Sequence, residues 1–206
     1  MRGSTGGQAR MIHNPAVRTF ERIVDMIVRP RRTWDRIATE TTSVDRLTVR
    51  FIVPLSLLAP IATGIGMRYF DSAWDGDQGY RVPATEIFAA TATTLFASIA
   101  SVFALAGIFV LMGRVYGSKS DFRVALQVAT YGAVPLLLAG ITLVIPVMAI
   151  VVVVGFVHSL YLYWLGARQV LEVKRSEQAE FIGISMLLFS VASTFAGAAV
   201  SHMGLF

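Results

Sequence analysis

Residues 124–167 read VALQVATYGAVPLLLAGITLVIPVMAIVVVVGFVHSLYLYWLGA, 44 consecutive positions without Asp, Glu, Lys or Arg. As one helix the stretch would be about 66 Å long, roughly twice the hydrocarbon thickness of a bilayer. It must fold back on itself. Gly140 and Pro146 are the local breakers. The stretch therefore reads as two spans, at about 124–144 and 147–167, with a sharp turn between Ile141 and Pro146.

Working outward, the charge-free gaps mark three more spans. Ile87 to Gly113 is uncharged and long enough to cross alone. Phe51 to Met67 is shorter, and Leu47 to Val49 extend it by a turn, giving a span at 47–67. The last gap, from Phe181 to the C-terminus, gives a span at 181–203 that ends near His202. The expected fold is all-α, a polytopic membrane protein with five transmembrane helices in a domain covering 47–206. Composition agrees: 15% of the 206 residues are charged, against roughly a quarter in a soluble domain.

Loop charge sets the orientation. Ten Arg residues precede span one, and three Lys or Arg follow each of spans two and four. The opposite side carries only Arg68 and Arg81. By the positive-inside rule the basic side is cytoplasmic, which puts the N-terminus in the cytoplasm and the C-terminus outside. Aromatic rings favour the headgroup level, and they flank both ends: Tyr69, Phe70, Trp74 and Tyr80 outside, and Tyr161, Tyr163 and Trp164 inside.

Residues 11–46 read as a cytoplasmic amphipathic, interfacial segment. Val17, Phe20, Val24 and Ile27 recur at helical spacing, opposite Arg18, Glu21, Arg22, Asp25 and Arg29. Pro30 ends or kinks this helix. Arg31, Arg32, Trp34, Arg36 and Ile37 suggest a second short interfacial helix, and Thr42 with Asp45 looks like a capping box opening span one. Residues 1–10, MRGSTGGQAR, have the flavour of a cloning-derived or disordered leader. The first thirty residues contain no apolar signal-peptide core.

The net charge of +5 raises the question of nucleic acid, but the clustering of the basic residues beside the membrane points to anionic lipid headgroups and the bilayer instead. No nucleic-acid partner is expected. The absence of cysteine excludes disulfides, thiolate metal sites and a Cys nucleophile.

Three motifs, in order, carry a family resemblance. The first is RPRRTWDRIATE at 29–40, with Pro30, Trp34, Ile37 and Glu40. The second is ATYGAVPLLL at 129–138, with Tyr131, Gly132 and Pro135. The third is YLYWLG at 161–166. Followed by five spans, this order resembles the Yip family, membrane proteins named for interaction with Ypt/Rab GTPases, and its small bacterial members in particular. The resemblance implies an inner-membrane protein of unsettled biochemical activity. Only about 50 residues precede span one, where eukaryotic members have a longer cytosolic region, so Rab binding is not carried over.

An ionisable group inside a span is a functional candidate. His158 lies ten residues before Arg168, about 15 Å along the helix and near mid-bilayer. It reads either as a relay or substrate group in a transporter, or as a neutral imidazole bonded to Gln127, Tyr131 or Thr142. The spans hold no Asp or Glu to pair with it, which favours the second. His202 reads as interfacial. Gln127, Thr130, Tyr131, Gly132 and Pro135 make span three the least regular, as a ligand-lined kink or a packing bend. Small-residue rows on span two (Ala89, Thr93, Ala97, Ser101) and span five (Ser193, Gly197, Ser201) are expected to pack the bundle, with homo-oligomerisation through span five as the alternative.

No HExxH, GxSxG, P-loop or intramembrane carboxylate pair appears, so neither an enzyme nor a cofactor is expected. Asp71, Asp75 and Asp77 in the outer loop are read as solvating residues rather than metal ligands. The functional expectation is a non-enzymatic membrane scaffold or adaptor affecting membrane organisation, with room for a cytoplasmic protein partner. The alternative is a small channel or transporter for an ion, solute or lipid, with a polar path around His158 and span three.

Overall fold

The computed structural model describes residues 15–40, 42–69 and 83–202, and the regular structure among them is all helical. Five helices are long and apolar enough to cross a membrane. The leader at 1–10 and the outer loop with Phe70, Asp71, Trp74, Asp75, Asp77, Tyr80 and Arg81 lie outside the described residues, as does the side chain of His202.

Two short helices come first. Helix α1 runs Pro15–Val28, and α2 runs Pro30–Thr39 with Pro30 in its first turn, where a missing N–H costs nothing. The residue before a proline is pushed out of the α region, and Arg29 sits accordingly at φ −133°, ψ 55°, breaking the two helices apart.

The first span, α3 (Val44–Tyr69), starts three residues earlier than the charge pattern suggested. Its cap is Ser43, whose hydroxyl accepts the Arg46 N–H at 3.4 Å. Thr42 does not form the expected capping box; its side chain is buried instead. Thr48–Ile52 form a π-helical turn just ahead of Pro54, which has no N–H to continue the ordinary ladder. The second span, α4, is Ala84–Val115.

The decisive 44-residue stretch splits into α5 (Phe122–Val144) and α6 (Ala149–Gln169), joined through 3₁₀ turns at Gly140–Val144 and Pro146–Met148. Asp121 caps α5 by accepting the N–H groups of Arg123 and Val124. Within α5 the helix breaks at Ala133. Pro135 offers no N–H, and the Leu136 N–H turns away to the Ser159 hydroxyl of α6 at 3.2 Å. Helix α7 is Gln178–His202.

Helix α5 is the centre of the bundle, with 72% of its apolar window buried against 17% for α7. It packs on α3, α4 and α6. Helix α7 meets α4 and α6 through Phe181, Ile182 and Ser185, and from Ser190 to Ala199 it is exposed. Ser193 and Gly197 of the span-five small row therefore do not pack the bundle. Ser193 and Gly197 are exposed, and a Cβ on Gly197 would meet nothing within 4 Å. On α4, Ala89 and Ala97 also face outward, and the close approach to α3 runs through Thr91 and Ile87 against Gly64.

Both N-terminal helices also dock on the bundle. Of the expected stripe on α1, Phe20 and Val24 are exposed together with Val28, while Met26 is fully buried and Ile23 packs on the core. Helix α1 thus has two apolar faces, one docked and one bare. Helix α2 packs against α6 and sinks Trp34 and Ile37 into the core at 0% and 1% exposure.

Candidate functional site

The three sequence motifs interlock at the end of the bundle that carries α1 and α2, the basic end. Trp34 from α2 lies edge-on to Tyr131 of α5, with centroids 6.4 Å apart. Its ring covers Gly166 of α6, where a Cβ would come within 2.9 Å of the indole. Gly132 of α5 faces Tyr163 of α6, and a Cβ there would overlap the phenol ring. Each motif glycine thus clears space for an aromatic ring of another motif. Of the three inner aromatics, Tyr161 and Trp164 are exposed as expected, but Tyr163 turns into the core.

Polar bonds close the same junction. The Gln127 amide donates to the Glu40 backbone carbonyl at 3.2 Å. The Glu40 carboxylate accepts both terminal nitrogens of Arg22, Nη2 to Oε1 at 2.7 Å and Nη1 to Oε2. This is the fork geometry that makes arginine–carboxylate pairs strong. Arg22 Nη1 also reaches the Tyr131 hydroxyl at 3.4 Å. The guanidinium is held above its ordinary pKa, first by the hydrogen bond to Glu40. Phe51, in the π-helical turn of α3, stacks edge-on against Tyr131 at 5.1 Å.

Beside this pair lies a cleft of about 510 Å³, walled by α1, α2 and the start of α3 and floored by Phe51 and Tyr131. Its charged lining is mixed: Arg22, Arg36, Arg46 and Arg50 face Glu21, Asp25 and Glu40. Beneath the cleft, Gln127 and Tyr131 are buried.

A family model described as the Yip1 domain matches residues 24–198. The chain belongs to the Yip1 domain family. No curated protein and no solved structure matches it. The Yip1 match begins inside α1, ends inside α7 and encloses every junction residue except Arg22. With five helices able to cross a bilayer, the chain is an integral membrane protein.

The junction gathers Trp34, Ile37, Glu40, Gln127, Tyr131 and Gly132. Pro135 lies one turn further along α5, where it frees Leu136 to bond Ser159. Pro30 starts α2 and lines a different groove. His158 stands apart from all of these. It bonds none of its three expected partners: Gln127 binds Glu40, Tyr131 binds Arg22, and the Thr142 hydroxyl donates to the Ala139 carbonyl at 2.7 Å. Its Nε2 has no hydrogen-bond partner among the described residues. The half-buried ring lies beside Val154, Val157 and Tyr161, with Nε2 itself shielded from the surface.

Sequence reasoning missed Arg22, Phe51 and Gln178. Gln178, 1% exposed, donates its amide to the Trp164 carbonyl at 2.6 Å and pins the start of α7 to α6. Pro54 was the available signal for Phe51, because a proline inside a span requires the ladder before it to adjust.

Proposed function

We propose that this Yip1-family chain is a non-enzymatic scaffold of the bacterial inner membrane that acts on membrane organisation. Its N-terminus faces the cytoplasm and its C-terminus the periplasm, as the positive-inside count requires. The observation that carries the reading is the clamp. Trp34, Glu40 and Arg22 lock α1 and α2 onto α3, α5 and α6 as a fixed collar at the cytoplasmic face. The collar turns Phe20, Val24 and Val28 outward toward the headgroup layer. A cytoplasmic protein partner would meet the charged cleft of the same collar, and a second copy of the chain would meet the bare half of α7.

The transport alternative requires a shared polar path for Gln127, Tyr131 and His158. What weighs against it is their separation: two are buried in the junction, and the third lies half-buried beside Val154, Val157 and Tyr161 on α6. Reconstituted into liposomes, the protein should give no proton or cation leak above empty vesicles. A pH-dependent flux that His158→Phe abolishes would replace the scaffold by a transporter.

A further inference from the structure

On the side of α2 away from the junction, three depressions share Tyr161. The first, about 410 Å³, is lined by Arg29, Pro30, Arg31, Arg32 and Tyr161. The second, of the same size, adds Trp164, Leu165, Arg168 and Gln169 to Arg31 and Tyr161. The third, about 440 Å³, runs down α6 past Tyr161 to Val153, Val154, Val157 and His158. Tyr161 borders all three, so a cationic head adjoins an apolar tail along this groove of α6.

The chemistry of its two ends differs sharply. Four arginines line the head and no carboxylate does. None of the four has an ion-pair partner among the described residues. Asp35, the acidic residue of α2, accepts instead from the Gln169 amide at 3.0 Å. Guanidinium forks match phosphate oxygens, and Tyr161 and Trp164 have rings suited to the headgroup layer. The tail presents three valines and the His158 ring, with no Asp, Glu, Lys or Arg.

Length decides between a bare anion and a lipid. From Val157 to Arg168 the helix rises about 16 Å. Half of a hydrocarbon core about 30 Å thick is about 15 Å, so the groove runs the depth of one leaflet. We infer that this groove is a binding site for one anionic glycerophospholipid of the leaflet on the α1–α2 side, its phosphate held by Arg29, Arg31, Arg32 and Arg168 and an acyl chain laid along Val153, Val154 and Val157. The site does not rest on the scaffold reading and would serve a transporter equally.

The test is native mass spectrometry of the full-length protein in detergent, titrated with phosphatidylglycerol or phosphatidylcholine. One phosphatidylglycerol should bind at least about tenfold more tightly than phosphatidylcholine, and Arg31→Gln with Arg168→Gln should weaken it about thirtyfold. Arg123→Gln, an exposed arginine outside the groove, should leave binding unchanged. Val154→Trp, which fills the tail with the arginines intact, should weaken it about threefold or more. Equal affinity for the two lipids, or full retention in the double arginine variant, would overturn the site. Competition by millimolar inorganic phosphate, or indifference to Val154→Trp, would reduce it to an anion site without a lipid chain. Displacement by a polyglutamate peptide would make the face a protein-docking surface instead. Circular dichroism of each variant should match the parent, since the substituted residues are exposed.

Discussion

On one side of α2, Arg22 and Arg36 share a cleft with Glu21, Asp25 and Glu40. On the other, Arg29, Arg31, Arg32 and Arg168 line a groove with no carboxylate in its walls. The same residue type is used in two ways. In the cleft, the charge is spent inside the chain: Arg22 is half-buried and forked onto Glu40, and the pair holds helices together. In the groove, the arginines project from the surface with their charge available to something outside. Charge count alone does not separate them. What separates them is whether an acid has been folded in alongside. The cleft should therefore answer to mutation through stability, and the groove through binding.

The largest effect is expected at Gly132. A Cβ there overlaps the Tyr163 ring, which is itself 5% exposed and cannot swing aside without moving α6. Gly132→Ala should destabilise the protein by up to about 3 kcal/mol, the upper range for overpacking a close-packed core. A thermal-unfolding series in detergent measures it. An unchanged midpoint would mean that α5 and α6 are not held at this spacing.

Next comes Glu40→Ala, which strands Arg22. Because both side chains keep some exposure, the expected loss is about 1–2 kcal/mol, below that of a fully buried pair. The pH dependence has a definite sign. Arg22 is raised above its ordinary value by the Glu40 hydrogen bond. A raised basic group stabilises fully below its unfolded pKa and loses that contribution only as pH climbs through the folded one. Since an arginine stays protonated across this range even in the unfolded chain, this pair should cause no fall in melting temperature between about pH 7 and about pH 10. A steep alkaline loss that Glu40→Ala removes would contradict the assignment.

The fold was largely legible because a bilayer forbids charge over long stretches, so each charge-free gap marks a crossing. The turn inside 124–167 followed from length alone. The motif residues Trp34, Glu40, Gln127, Tyr131 and Gly132 were legible as positions, but not as one assembly. Nothing local says that the ring at position 34 needs the glycine at 166, because packing partners on different helices leave no periodic trace. Arg22 was hidden among polar neighbours on α1, and its half-burial is set by Glu40, 18 positions away. His158 misled in the opposite direction. A histidine in a span invites an interior partner, yet the rotation of α6, fixed by Gly155, Ser159 and Tyr163 packing inward, leaves it half-buried beside Tyr161 and away from all three expected partners.

A smaller response is expected in the groove. Arg31→Gln with Arg168→Gln should change stability in lipid-free detergent by no more than about 0.5 kcal/mol, as for exposed residues without structural partners. Set beside Glu40→Ala, this is the sharpest form of the contrast. A loss as large as that of Glu40→Ala would mean that the groove arginines are also structural, and the two sides of α2 would no longer differ.

The smallest effect is expected at His158. Removing a hydrogen-bonded polar group from a low-dielectric interior is costly because the abandoned partner keeps its desolvation penalty. Here no partner is left behind, since Gln127, Tyr131 and Thr142 are all bonded elsewhere and Nε2 has no acceptor or donor among the described residues. The substitution instead removes a buried polar atom that has no partner among the described residues. His158→Phe should therefore shift the unfolding free energy by less than about 1 kcal/mol, and toward greater stability. Measured in the same detergent series as Gly132→Ala, a loss of about 2 kcal/mol or more would reveal a hydrogen bond that His158 makes from α6.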